Sequence, residues 1–134
     1  MVLIDTTIWI DFFADKHTPQ VSLLKLLLSE GEEVCTCGIV LAEVLQGVRD
    51  DRIYRKIKSY FNNLVYLPMN QVTFVKSADM YRSLRKNGIT IRKALDCMIA
   101  AVAIVHRVQL LHNDRDFDPI EKQCGLNVVQ FRKK

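Results

Sequence analysis

Five carboxylates are conspicuous in this sequence because of their neighbours. Asp5 closes the short apolar run Val2-Leu3-Ile4. Glu43 sits among Leu41, Ala42, Val44 and Leu45, a poor setting for a solvated side chain. Asp96 heads the apolar stretch Cys97-Met98-Ile99-Ala100-Ala101-Val102-Ala103, and Asp114 and Asp116 follow the run Val108 to His112. An ionised carboxylate opening a mostly buried helix needs a cation, hydrogen-bond donors or a metal. Two carboxylates about 4 Å apart repel by roughly 4 kcal/mol at an effective dielectric of about 20. A set of them holds protons or holds a cation, and hard, oxygen-preferring Mg²⁺ or Mn²⁺ suits it. Acidic metal sites of this type serve phosphoryl chemistry: they activate water, orient a phosphodiester and neutralise the leaving oxygen.

Taken singly, each carboxylate also has an ordinary structural explanation. Asp96 in a first helical turn favours the helix dipole, and Asp114 and Asp116 stand in a turn, where Asp bonds nearby backbone. Asp11 and Asp15 are read as surface residues of the first helix. His17, His106 and His112 share no ligand spacing, and His112 is taken as a strand end. A phosphate-cradling Gly-x-x-x-x-Gly-Lys loop is absent from the sequence, which leaves nucleotide-triphosphate hydrolysis unsupported. Cys35, Cys37, Cys97 and Cys124 lie in apolar stretches and read as reduced, buried thiols rather than disulfides or a zinc site.

The elements that must position these residues follow from the apolar spacing. Val2 to Ile4 reads as a buried strand. Thr6 or Thr7 then caps a short helix carrying Ile8, Trp9, Phe12 and Phe13 inward. Pro19 starts a helix that Gly31 stops. Val34 to Cys37 is a second strand, followed from Gly38 by a helix with Val40, Leu41, Val44 and Leu45 inward. Arg52 to Leu64 is an amphipathic helix with Ile53, Ile57, Tyr60, Phe61 and Leu64 on one stripe, and Tyr54, Tyr60 and Phe61 read as core rather than base-stacking residues. Val65 to Leu67 is a strand; Gln71 to Lys86 and Lys93 to Arg107 are helices. Val108 to His112 and Asn127 to Phe131 are the remaining strands, before a basic tail, Arg132-Lys133-Lys134. Strands alternating with helices predict an α/β/α sandwich with a mostly parallel sheet of four to five strands. Ligands of such sheets bind outside the carboxyl ends of the strands, where Asp5 and Asp114 fall.

The 134 residues fit one domain spanning 1–134. A formal charge of +4 is only mildly basic. Asp5 interrupts the apolar start too early for a secretory signal, and no apolar run approaches the roughly 20 residues of a membrane span. The expectation is a soluble, cytoplasmic protein.

The acidic segments, in order, resemble those of the PIN-domain family, most closely the VapC-type toxin ribonucleases of bacterial and archaeal toxin–antitoxin pairs. Val2-Leu3-Ile4-Asp5-Thr6-Thr7-Ile8-Trp9-Ile10-Asp11 is similar to the first motif, and Leu41-Ala42-Glu43-Val44-Leu45-Gln46-Gly47 to the glutamate-bearing helix. Leu95-Asp96-Cys97-Met98-Ile99-Ala100-Ala101 resembles the third motif, and His112-Asn113-Asp114-Arg115-Asp116-Phe117 the fourth. Together they span nearly the whole chain. The resemblance implies a PIN-like fold and an Mg²⁺- or Mn²⁺-dependent endoribonuclease. Its metal would be held chiefly by Asp5 and Asp96, with Glu43 and the Asp114/Asp116 pair completing the site and Thr7 near the metal or phosphate. It also implies homodimers and inhibition by a cognate antitoxin. The fourth motif is acidic at two positions here, which leaves the division of roles between Asp114 and Asp116 open.

An acidic site must still attract a polyanion. Arg49, Arg52, Arg55, Lys56 and Lys58, and Arg82, Arg85, Lys86, Arg92 and Lys93, can flank the groove and supply phosphate contacts; each is otherwise an ordinary solvated helix residue. Two other readings compete. One is a non-catalytic RNA-binding domain of the same fold. The other is a phosphotransfer domain with Asp5 as nucleophile, which would want a second acid two positions on, where Thr7 stands.

Overall fold

The computed structural model describes residues 1–131, so the basic tail Arg132-Lys133-Lys134 lies outside the described residues. Four short parallel strands form the central sheet: β1 (Val2–Ile4), β2 (Val34–Cys37), β3 (Val65–Leu67) and β4 (Gln109–Leu111), in the order β3-β2-β1-β4. The first strand in the chain is therefore central. It pairs Val2 with Val34 on one side, and Val2, Leu3 and Ile4 with Gln109, Leu110 and Leu111 on the other. Every residue of β1 and β2 is buried. Alternate side chains of a strand point to opposite faces, so the sheet has to be covered on both, and parallel crossovers bring helices to do this. The expected PIN-like α/β sandwich is what the chain forms.

The helices are α1 (Thr6–Phe13), α2 (Pro19–Ser29), α3 (Gly38–Gln46), α4 (Asp51–Phe61), α5 (Gln71–Lys86), α6 (Ala94–His106) and α7 (Asp118–Cys124). Local chemistry sets several ends. Thr18 accepts the Val21 N–H at 3.0 Å ahead of Pro19, and Asp50 accepts those of Arg52 and Ile53 at 2.8 and 3.0 Å. Asn70 and Thr73 form a reciprocal capping box at the start of α5. The core runs through both sheet faces, with α6 supplying the fully buried Ala100, Ala101, Val102 and Ala103. Trp9 is enclosed by Phe12, Phe13, Tyr60 and Phe61, its ring centroid 5.0–6.0 Å from theirs. Tyr60 and Phe61 are thus core residues, as their spacing predicts, whereas Tyr54 is only half-buried and lies outside the core. Among the described residues no helix is long and apolar enough to cross a membrane.

Four other expectations are corrected. Neither Thr6 nor Thr7 caps α1: Asp5 occupies the N-cap position and the two threonines lie inside the first turn. The fourth helix stops at Phe61, with Ile53 half exposed and Leu64 beyond its end. Asn127 to Phe131 is not a strand but a single parallel bridge, Leu110 with Val128. The ladder cannot lengthen, because β4 ends at Leu111 and His112 turns away into the acidic loop. Finally, a helix not anticipated from the sequence, α7, follows that loop.

Candidate active site

Asp5 is placed by the sheet. Its backbone N–H donates to Leu111 O at 3.0 Å, extending the β1–β4 pairing by one residue and setting Asp5 beside the end of β4. Beyond that end, Asp114 folds the chain back on itself: its carboxylate accepts the Asp116 N–H at 2.9 Å and so caps a 3₁₀ turn over Arg115–Phe117. Phe117 is fully buried beneath this turn and packs on the His112 ring, centroids 4.7 Å apart. His112 Nδ1 accepts the Asp114 N–H at 3.1 Å, and burial pulls the imidazole below its ordinary pKa. A neutral ring with its proton on Nε2 satisfies that bond.

On α6, Asp96 lies in the first turn, 7% exposed, facing the loop. One carboxylate oxygen each from Asp96, Asp114 and Asp116 falls within a mutual distance of 4.8 Å. The Oδ2 of Asp96 is buried without a hydrogen-bond partner among the described residues. Such an oxygen carries a desolvation penalty that a proton or a cation would relieve. Both effects appear in the acidities. Burial, then the charges of Asp5 and Asp114, push Asp96 from 3.8 up to about 6, against the pull of Lys93. Burial likewise raises Asp5 from 3.8 to about 6. The Thr6 N–H and the Thr7 hydroxyl work against that rise, and the charges of Glu43 and Asp114 add to it.

Glu43 comes from α3 and is held by the buried Thr6, whose Oγ1 donates to Glu43 Oε1 at 2.8 Å. Thr7 Oγ1 reaches Asp5 Oδ2 at 3.2 Å and Asn113 Oδ1 at 2.9 Å, and so ties the first motif to the fourth across the sheet edge. An open polar cleft lined by Thr7, Arg92, Asn113, Asp114, Arg115 and Asp116 leads to the carboxylates. The structure thus brings Asp96, Asp114 and Asp116 into one cluster, sets Asp5 within its electrostatic reach and Glu43 within that of Asp5, and puts Thr7 at the rim. Three contributors went unrecognised in the sequence: Thr6, Asn113 and His112. The adjacent hydroxyls of Thr6-Thr7 were the available signal for the first. The donor set, all hard oxygens with one buried and unpartnered, fits a divalent ion of the Mg²⁺ or Mn²⁺ kind.

A parallel α/β sheet that gathers carboxylates from the ends of β1 and β4 and from two helices has the architecture of a PIN domain, and residues 2–123 match the family described as PIN domain. Ribonuclease VapC11 of Mycobacterium tuberculosis is 34% identical, over 98% of this chain and 100% of the relative. Ribonuclease VapC19 of the same organism is 34% identical over 83% of this chain and 86% of the relative. The fold is shared with VapBC2 of Rickettsia felis, solved bound to a promoter DNA fragment (TM-score 0.77, 18% identity, 98% of this chain and 100% of that one). The chain belongs to the PIN-domain family, among its VapC-type members, as the four motifs lead one to expect.

Proposed function

We propose that this protein is an endoribonuclease dependent on Mg²⁺ or Mn²⁺, and the toxin of a toxin–antitoxin pair acting in the cytoplasm as a single-domain homodimer. The observation that carries the metal reading is the buried, unpartnered Asp96 oxygen within a cluster of three carboxylates. RNA as substrate is supported by the relatives, which are named ribonucleases. A cognate antitoxin is supported by solved neighbours that are toxin–antitoxin complexes, VapBC-1 of Haemophilus influenzae among them (TM-score 0.74, 21% identity, covering 96% of this chain and 97% of that one).

In this reading Asp5 and Asp96 would chiefly hold the ion, with Glu43 and the Asp114/Asp116 pair completing the site. When bound, the ion supplies an activated water and neutralises charge on the scissile phosphodiester. The protein's own part is placement. Thr6 fixes Glu43, the 3₁₀ turn aims Asp114 and Asp116, and Thr7 offers its hydroxyl toward a phosphate oxygen at the rim. The test is incubation of purified protein with RNA in Mg²⁺ or Mn²⁺, with and without EDTA, and with Asp96→Asn. Metal-dependent internal cuts that the variant loses support the proposal. RNA retained uncut in either metal would instead identify a non-catalytic RNA-binding domain, and an Asp96→Asn protein cutting at the parent rate would refute the site.

A further inference from the structure

One cation already stands inside the acidic cleft. Arg92 Nη2 lies 3.3 Å from Asp116 Oδ2, and both residues line the cleft. Its neighbours are held in place: Ile91 is buried on one side, and on the other the Lys93 carbonyl accepts the Asp96 N–H at 3.1 Å as α6 begins. Its side chain, by contrast, is 78% exposed. An ion pair that open contributes between nothing and about 1 kcal/mol, so a divalent ion competing for Asp116 can dislodge it. A freed guanidinium keeps its charge, and its planar fork matches two oxygens of a phosphodiester.

We propose that Arg92 is a positioning residue with two alternating partners: it neutralises Asp116 while the acidic cluster holds no metal, and it passes to the RNA phosphate once a divalent ion claims Asp116. This rests on the endoribonuclease reading for its second partner and on geometry alone for its first. Arg115 lines the same cleft. Arg92, however, reaches a member of the carboxylate cluster directly, and so couples metal loading to substrate contact.

The signature is a pair of opposite changes in Arg92→Gln. Without RNA, Mn²⁺ titrated into the protein binds more tightly, by about two- to fivefold, because its competitor for Asp116 is gone. In Ca²⁺, with RNA integrity checked on a gel, a mixed-sequence single-stranded oligoribonucleotide binds more weakly. The slope of log affinity against log salt shrinks by about 0.7, the value of one lost phosphate contact. Lys122→Gln, which removes the same charge away from the cleft, produces neither change. Arg92→Lys, keeping charge without the fork, restores the parent Mn²⁺ affinity more fully than the RNA affinity. Mn²⁺ affinity in Arg92→Gln equal to that in Lys122→Gln would overturn the proposal, as would an unchanged salt slope. Failure of the parent protein to cut RNA would refute the enzymatic reading, while the Mn²⁺ comparison would still decide whether Arg92 screens Asp116.

Discussion

Asp5 and Asp96 are each less than a tenth exposed and each raised to about 6. Their protonated forms are therefore favoured by folding relative to the unfolded chain, where both titrate near 3.8. The stability this contributes is fully present below the unfolded value and is lost as pH rises through about 6. Metal-free protein should accordingly be more stable at pH 5 than at pH 7.5, by a few kcal/mol at most for the pair, since part of the rise at Asp96 comes from the charge of Asp5. Saturating Mg²⁺ should flatten or reverse the trend, because the ion binds the ionised forms. Calorimetry across this pH range, with and without metal, checks both signs. Asp96→Asn should raise the metal-free Tm at pH 7.5 while abolishing the response to Mg²⁺. The Thr6–Glu43 bond makes a separate claim: Thr6→Val should weaken Mn²⁺ binding by about 10- to 100-fold, the usual cost of losing a group that orients a ligand. The carboxylates themselves were legible in the sequence, because a charge set in an apolar run is anomalous on its face. Thr6 showed only as one of two adjacent hydroxyls, because the glutamate it bonds lies 37 residues away and nothing local points to that partner.

The strong periodicities yielded helices and strands close to those observed. The misreadings fall where the local pattern is short or the decisive partner distant. Helix α7 has seven residues and a single buried one, Ile120, too few turns for a period to show. Asn127 to Phe131 has strand composition, but whether it pairs depends on β4, which offers it only Leu110. Ile53 fits the inward stripe of α4, yet it lies in that helix's first turn and remains half exposed. A stability prediction belongs to this scale. Helix α6 ends on Arg107 in the left-handed region at φ +57°. A side chain there is strained where glycine is not, so Arg107→Gly should raise stability by about 0.5–1 kcal/mol, read as an increase in Tm. Thr18→Ala should lower it by about 1 kcal/mol through loss of the α2 cap, with RNA cleavage unchanged.

Across the molecule, metal binding and folding share one free energy. At an ion concentration about 100 times its Kd, ligation of the native state adds roughly 2.7 kcal/mol. In a chain of this size that corresponds to a Tm increase on the order of 10 °C, and EDTA should remove it. Scanning calorimetry in Mn²⁺ and then in chelator is the measurement; equal Tm values in both would contradict a metal site of these carboxylates.

The central position of β1 also has a bearing on biosynthesis. Asp5 is made long before its sheet partner Leu111 and the turn ending at Phe117, which lie more than 100 residues further along the chain. No partial chain that stops before β4 can assemble the acidic site, because β1 would lack its neighbour on that side. A fragment that ends before β4 therefore carries the carboxylates of β1, α3 and α6 without the strand and turn that gather them.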